Sequence, residues 1–117
     1  MMWENSIDTI LTKYDLPFFY GMPEFCEGGE PETYMVYTDT VRPAQRADGK
    51  ITTYSNRVTL DVFSTSIATA DSLSERVVND FEDHGIRLVD VISGVDSGSP
   101  QYQRRTLEFY TLTEKET

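Results

Sequence analysis

The side chains able to do covalent or metal chemistry are few. Cys26 is the lone cysteine and His84 the lone histidine in 117 residues. A nucleophile needs a base to take its proton, so any such pair would have to be Cys26 with His84. Cys26 sits between Glu24 and Glu27, and neighbouring carboxylates disfavour the thiolate, which leaves the sulfur unreactive. Asp80 and His84 are four apart, on one face of a helix, with Glu82 and Asp83 beside them. That spacing could hold a divalent cation weakly. The same residues also read as a solvated helix end with His84 near the negative pole of the dipole. The run from Ser93 through Gly94, Val95, Asp96, Ser97, Gly98 and Ser99 to Pro100 has the glycines of a phosphate loop. It lacks the lysine and the helix that such a loop opens, and reads as a turn. No catalytic residue, metal site or cofactor is expected.

What the sequence does concentrate is charge. Twenty Asp and Glu stand against 10 Lys and Arg, a net charge of −10. Gripping nucleic acid through its phosphates is disfavoured, because each contact needs a cation and the summed field repels the polymer. Between Lys13 and Arg42 no basic residue occurs, while Asp15, Glu24, Glu27, Glu30, Glu32 and Asp39 all do. Arg42, Arg46 and Lys50 then follow against a single Asp48. These clusters are either solvated surface or two complementary patches, a basic tip on one copy meeting an acidic surface on a neighbour or partner. A lone cysteine excludes an internal disulfide framework and suits a reducing cytoplasm. The N-terminus lacks the basic leader of a signal peptide. No apolar run approaches the ~20 residues of a membrane helix, so no membrane partner is expected.

The elements that position these charges are legible in the apolar spacing. Trp3, Ile7, Ile10, Leu11 and Tyr14 fall on one helical stripe, which Pro17 must end. Phe18, Phe19 and Tyr20 form a short strand closed by Gly21, and Met22 to Pro31 is a loop punctuated by Gly and Pro. Thr33 to Thr38 is a strand. Ile51 to Phe63 is another, with Tyr54, Val58, Leu60 and Val62 on one side and Arg57, Thr59 and Asp61 on the other. Between them residues 41–50 form a charged tip with little apolar anchorage, expected to order only against a partner. At ~3.3 Å per residue the second strand reaches roughly 40 Å, so the hairpin projects from a domain of this size. Leu73, Val77, Val78 and Phe81 mark a second helix capped by Gly85. Ile86 to Ile92 and Gln101 to Leu112 are the last strands, with Leu107 and Phe109 inward. The order predicts one α+β domain over residues 1–117, a mainly antiparallel sheet with two helices on one face. The apolar fraction is 38%, unchanged when the 7 glycines replace the 7 tyrosines in the tally. That is below the usual ~45–50% and fits a thin core or one completed by a neighbouring subunit.

The succession of a helix, a short apolar strand, acidic residues from Glu30 into Tyr34, Met35, Val36 and Tyr37, a charged hairpin, the strand Tyr54 to Phe63 and an acidic helix ending in a glycine resembles the tail terminator, or tail completion, proteins of long-tailed bacteriophages. The resemblance spans nearly the whole chain and rests on element order. It implies a virion protein without catalysis, assembled in the host cytoplasm. Six copies would form a ring that caps the tail tube, meets the tube protein and receives the head connector or stopper protein, with DNA passing through unbound. Arg42 to Lys50 correspond in position to the family's projecting loop. A head completion or stopper protein, a small cytoplasmic protein-binding module and, last, a small hydrolase are the alternatives. The interface residues expected are Arg42, Arg46 and Lys50 on one side and Glu24, Glu27, Glu30 and Glu32 on the other.

If the alternation and the helical stripes are read in the right register, Leu60→Ala or Phe81→Ala should each lose about 2–5 kcal/mol of unfolding free energy in urea titration. Losses under about 0.5 kcal/mol at both would mean that the register is wrong, since a one-residue slip moves every strand side chain to the other face.

Overall fold

The computed structural model describes residues 3–23, 25, 30–96 and 101–114. The elements come in the expected order: α1 (Trp3–Thr12), β1 (Phe18–Tyr20), β2 (Thr33–Ala47), β3 (Lys50–Ser64), α2 (Ile67–Asp83), β4 (Arg87–Val95) and β5 (Gln103–Glu114). The five strands make one sheet in the order β1-β2-β3-β5-β4. Every neighbouring pair is antiparallel except β1 with β2.

Alternation in β3 decides where the helices go. Val58, Leu60 and Val62 point to one face and are buried with Met35 and Tyr37 of β2 and Leu107 and Phe109 of β5. Ile7, Ile10 and Leu11 of α1 and Leu73, Val77 and Phe81 of α2 close over that same face. The opposite face has a smaller aromatic cluster at one end, Tyr34, Val36, Phe63 and Tyr102, with Phe19 and Phe25 against it. Asn56 also lies on the core face and is buried. Its Nδ2 donates to Thr113 Oγ1 at 3.0 Å, which removes the cost of burying an unpaired amide.

Polar pins hold the helices in place. The hydroxyl of Tyr37 donates to the Asp8 carboxylate, joining β2 to α1. The hydroxyl of Tyr14 donates to the Asp80 carboxylate, joining the turn after α1 to α2. Buried Arg105 reaches Asp71 at 2.8 Å and ties β5 to α2. The helix ends are built locally. Ser66 caps α2 by accepting from Thr69 N. His84 occupies the C-cap and Gly85 follows with φ +78, while Ile86 N bonds back to Phe81 O at 2.9 Å. Helix α1 stops at Thr12, short of Pro17, in bonds from Lys13 N to Ile10 O and Tyr14 N to Leu11 O.

The tip differs from the sequence expectation. Residues 41–47 continue β2, paired with β3 down to Ala47 opposite Lys50. Only Asp48 and Gly49 turn, with φ values of 53 and 77. Two successive positive φ values are what a tight hairpin turn demands, and Asp-Gly is a strong signal for it. The ten-residue tip is therefore a two-stranded ribbon ordered by its own ladder, with register shifts around Gln45. Since β5 covers β3 only from Thr53 onward, the ribbon stands clear of the body. The molecule measures 54 × 26 × 26 Å.

Burial, and next their carboxylate partners, raise the pKa of Tyr14 and Tyr37 well above the ordinary 10.0. Burial likewise raises Tyr34 and Tyr102. Above pH 10 the unfolded chain releases these protons while the folded chain keeps them, so folding stability must fall with rising pH. Urea midpoints are expected to be unaffected by these tyrosines below about pH 9 and to drop from about pH 10 upward, less steeply in Tyr37→Phe. An identical alkaline slope in that variant would contradict the assignment.

Candidate interaction surface

Of the constellations weighed in the sequence, only Asp80 with His84 lies wholly within the described residues. The ring Nδ1 of His84 lies 2.8 Å from the main-chain carbonyl of Asp80, while the Asp80 carboxylate accepts from Tyr14. The two side chains thus face different partners. Among the described residues no three His, Cys, Asp or Glu converge as a metal site would require. Cys26, Glu24, Glu27 and residues 97–100 lie outside the described residues.

The structure instead gives the molecule two charged ends. Arg42, Arg46 and Lys50 are exposed on the ribbon. None forms an ion pair among the described residues. Arg46 reaches only the Gly49 carbonyl, at 3.5 Å. Glu30 and Glu32 are exposed at the other end of β2. There the Tyr102 hydroxyl donates to the Pro31 carbonyl and Thr65 N to the Glu32 carbonyl, which fixes the chain on which these acids sit. Along β2, at about 3.3 Å per residue, Arg42 lies roughly 33 Å and Arg46 roughly 46 Å from Glu32. They cannot neutralise each other within one chain.

Where the ribbon meets the body, Thr40, Arg42, Ser55, Arg57 and Tyr110 line an open groove of about 470 Å³ on the sheet face away from the helices. The Arg57 guanidinium lies 6.0 Å from the centre of the Tyr110 ring. Arg42 opposes Ser55 and Thr40 opposes Arg57, which sets the two arginines diagonally across the strand pair. Arg57 was placed on the wet side of β3 by alternation but not among the interface residues. The register that brings it beside Arg42 depends on the Asp48-Gly49 turn, and counting back from that dipeptide would have found it.

Further along that face the charge is satisfied internally. Arg104 grips Asp61 with two bonds of 3.1 Å, and Thr106 donates to the same carboxylate. The Asp61 bond is the main cause of a raised Arg104 pKa. The open face therefore passes from aromatic, through internally paired charge, to unpaired cation at the ribbon.

The chain matches no protein-family model and no curated protein. Solved structures do match. One chain, whose name states no activity, aligns over 100% of this chain and 99% of its own at 13% identity, with a TM-score of 0.50. At that identity the likeness concerns the fold alone.

Reversing Arg42, Arg46 and Lys50 to Glu should leave the monomer folded, with a stability change of at most about 1 kcal/mol per site. Association with the partner should weaken, and the wild-type contact should fade as salt approaches 1 M, where the Debye length is ~3 Å. Sedimentation at graded salt reads both. Undiminished association of the triple variant at low salt would make the ribbon end a solvated turn.

Proposed function

We propose that this chain is a structural virion protein of a long-tailed bacteriophage, the tail terminator that stops tail-tube growth and forms the head-tail joint as a ring subunit. The observation that carries the reading is the separation of charge along an elongated molecule. A basic ribbon projects at one end and acids sit at the other, too far apart to meet within one copy. Complementary patches on different parts of one surface generate head-to-tail contacts, and such contacts close into rings when the rotation allows. The element order of the terminator family supports the same reading.

In this reading the copies form a hexamer, one end of which meets the tail tube protein and the other the head connector or stopper protein. Six chains of −10 would carry −60. That field leaves DNA free to pass without being held. The role needs no catalysis and no cofactor, and places the protein at the head-proximal end of the tail.

Adding the purified chain to a lysate that lacks its terminator should yield tails of uniform length that join heads, as imaged by electron microscopy. The Arg42, Arg46 and Lys50 charge-reversal variant should fall short of this. Tails that stay overlong and headless with the wild-type chain would sink the terminator reading.

A further inference from the structure

A sheet edge left open is a template for another strand, and natural proteins blunt such edges. Along β2 this is done. Gly21 N bonds Tyr37 O and Met35 N bonds Pro17 O, so the odd residues of β2 turn their main-chain groups outward. Pro43, the third odd residue after Tyr37, therefore has its missing N–H on the open side. Register shifts and exposed Arg42 and Arg46 complete the defence. On the same side, β1 has only three residues.

The other edge, β4, is different. It offers nine residues with neither Pro nor Lys. Val89, Val91, Ile92 and Val95 are 49, 48, 57 and 55% exposed. Its one Arg and one Asp cancel in a chain of net −10, so this is a place where two acidic copies can approach. Asp96 N bonds the carbonyl of Tyr102, just before β5, while Val91 N turns away to the Asp90 carboxylate at 2.8 Å. By alternation, Val91, Ser93 and Val95 present their main-chain groups outward.

We infer that β4 adds antiparallel to β4 of a second copy across a two-fold axis at Ser93. In that register the outward residues oppose one another: Ser93 opposes Ser93 of the second copy, and Val91 opposes Val95, once Val91 N leaves the Asp90 carboxylate. Ile92 falls opposite Gly94, around whose missing side chain no atom lies within 4 Å. The strand thus matches itself in hydrogen bonding, in apolar contact and in size. Covering the six half-exposed side chains of Val91, Ile92 and Val95 in the two copies buries on the order of 400 Å² of apolar surface, below the about 1,200 Å² of a stable interface. The dimer is accordingly weak. Asp90 restrains it twice, by occupying Val91 N and by opposing Asp96 of the second copy, whose charge Arg104 offsets from 3.9 Å.

The contact is two-fold, so it lies apart from the head-to-tail contact of a ring and goes beyond that reading. Sedimentation of the full chain over a concentration series, with amide exchange of the associated state, tests it. Association that slows exchange at Ser93 and Val95 is expected, and it should weaken at least about tenfold in Ser93→Pro, which removes the central donor. Asp90→Asn should tighten it about tenfold, because two like-charge oppositions disappear. Should Ser93→Pro fail to fold, Ile92→Lys, at an exposed position, must weaken association comparably. A chain that stays monomeric, or that associates equally well in these variants with Ser93 and Val95 exchanging freely, overturns the inference. A ring with open β4 amides would overturn it while leaving the ring reading intact, and protected dimers without higher assembly would do the reverse.

Discussion

The double pairing of β3 is the constraint on which the rest of this structure depends. It is hydrogen-bonded along β2 on one side and, from Thr53 to Ser64, along β5 on the other. Its even residues from Asn56 to Val62 supply the floor under both helices. A shift of one residue would put Arg57, Thr59 and Asp61 under the helices, where burying charge is costly, and would turn Val58, Leu60 and Val62 out to solvent. The Asp48-Gly49 turn holds that register from one end and the pair Thr33 with Ser64 from the other. Everything charged on the open face, including the Arg42 and Arg57 groove and the Asp61 and Arg104 pair, takes its place from the same count.

That count also makes the molecule polar along its length. Because β2 and β3 outrun β5 and both helices, the distal ribbon has no core to sit on and carries cations, while the proximal end is closed by aromatic packing and bears acids. The two long edges are likewise unequal. Pro43 and the register shifts blunt β2, whereas β4 keeps Val91, Ile92 and Val95 in view. The two proposed contacts use these asymmetries separately, the ribbon for the head-to-tail contact and β4 for the two-fold one.

Much of the architecture was legible in the sequence because it rests on periodicity. The stripe Ile7, Ile10 and Leu11, the alternation at Val58, Leu60 and Val62, and the inward Leu107 and Phe109 all lie where spacing put them. Pairing partners are a different matter, because they depend on contacts far apart in the chain. Asp48-Gly49 is a local turn signal, yet residues 41–50 are charged and offer little apolar anchorage, and so the ribbon was read as a tip. The edge position of β4 left no mark at all, since a run such as Leu88, Val89, Val91 and Ile92 reads as strand whether it is central or lateral. Charge sorting, which is local, singled out Arg42, Arg46, Lys50, Glu30 and Glu32, and the structure leaves all five exposed. The groove that sets Arg57 beside Arg42 was not legible, because that neighbourhood is set by register.

The central claim is that the ribbon of one copy meets the acidic end of the next. Zero-length carbodiimide cross-linking of a mixture of isotope-labelled and unlabelled chains tests it directly, since Lys50 and Glu30 or Glu32 lie at opposite ends of β2 and can be joined only between copies. The account predicts mixed-isotope peptides linking Lys50 to Glu30 or Glu32 at low salt, and their loss near 1 M salt. Assemblies that form at low salt with Lys50 unlinked to either glutamate would contradict it.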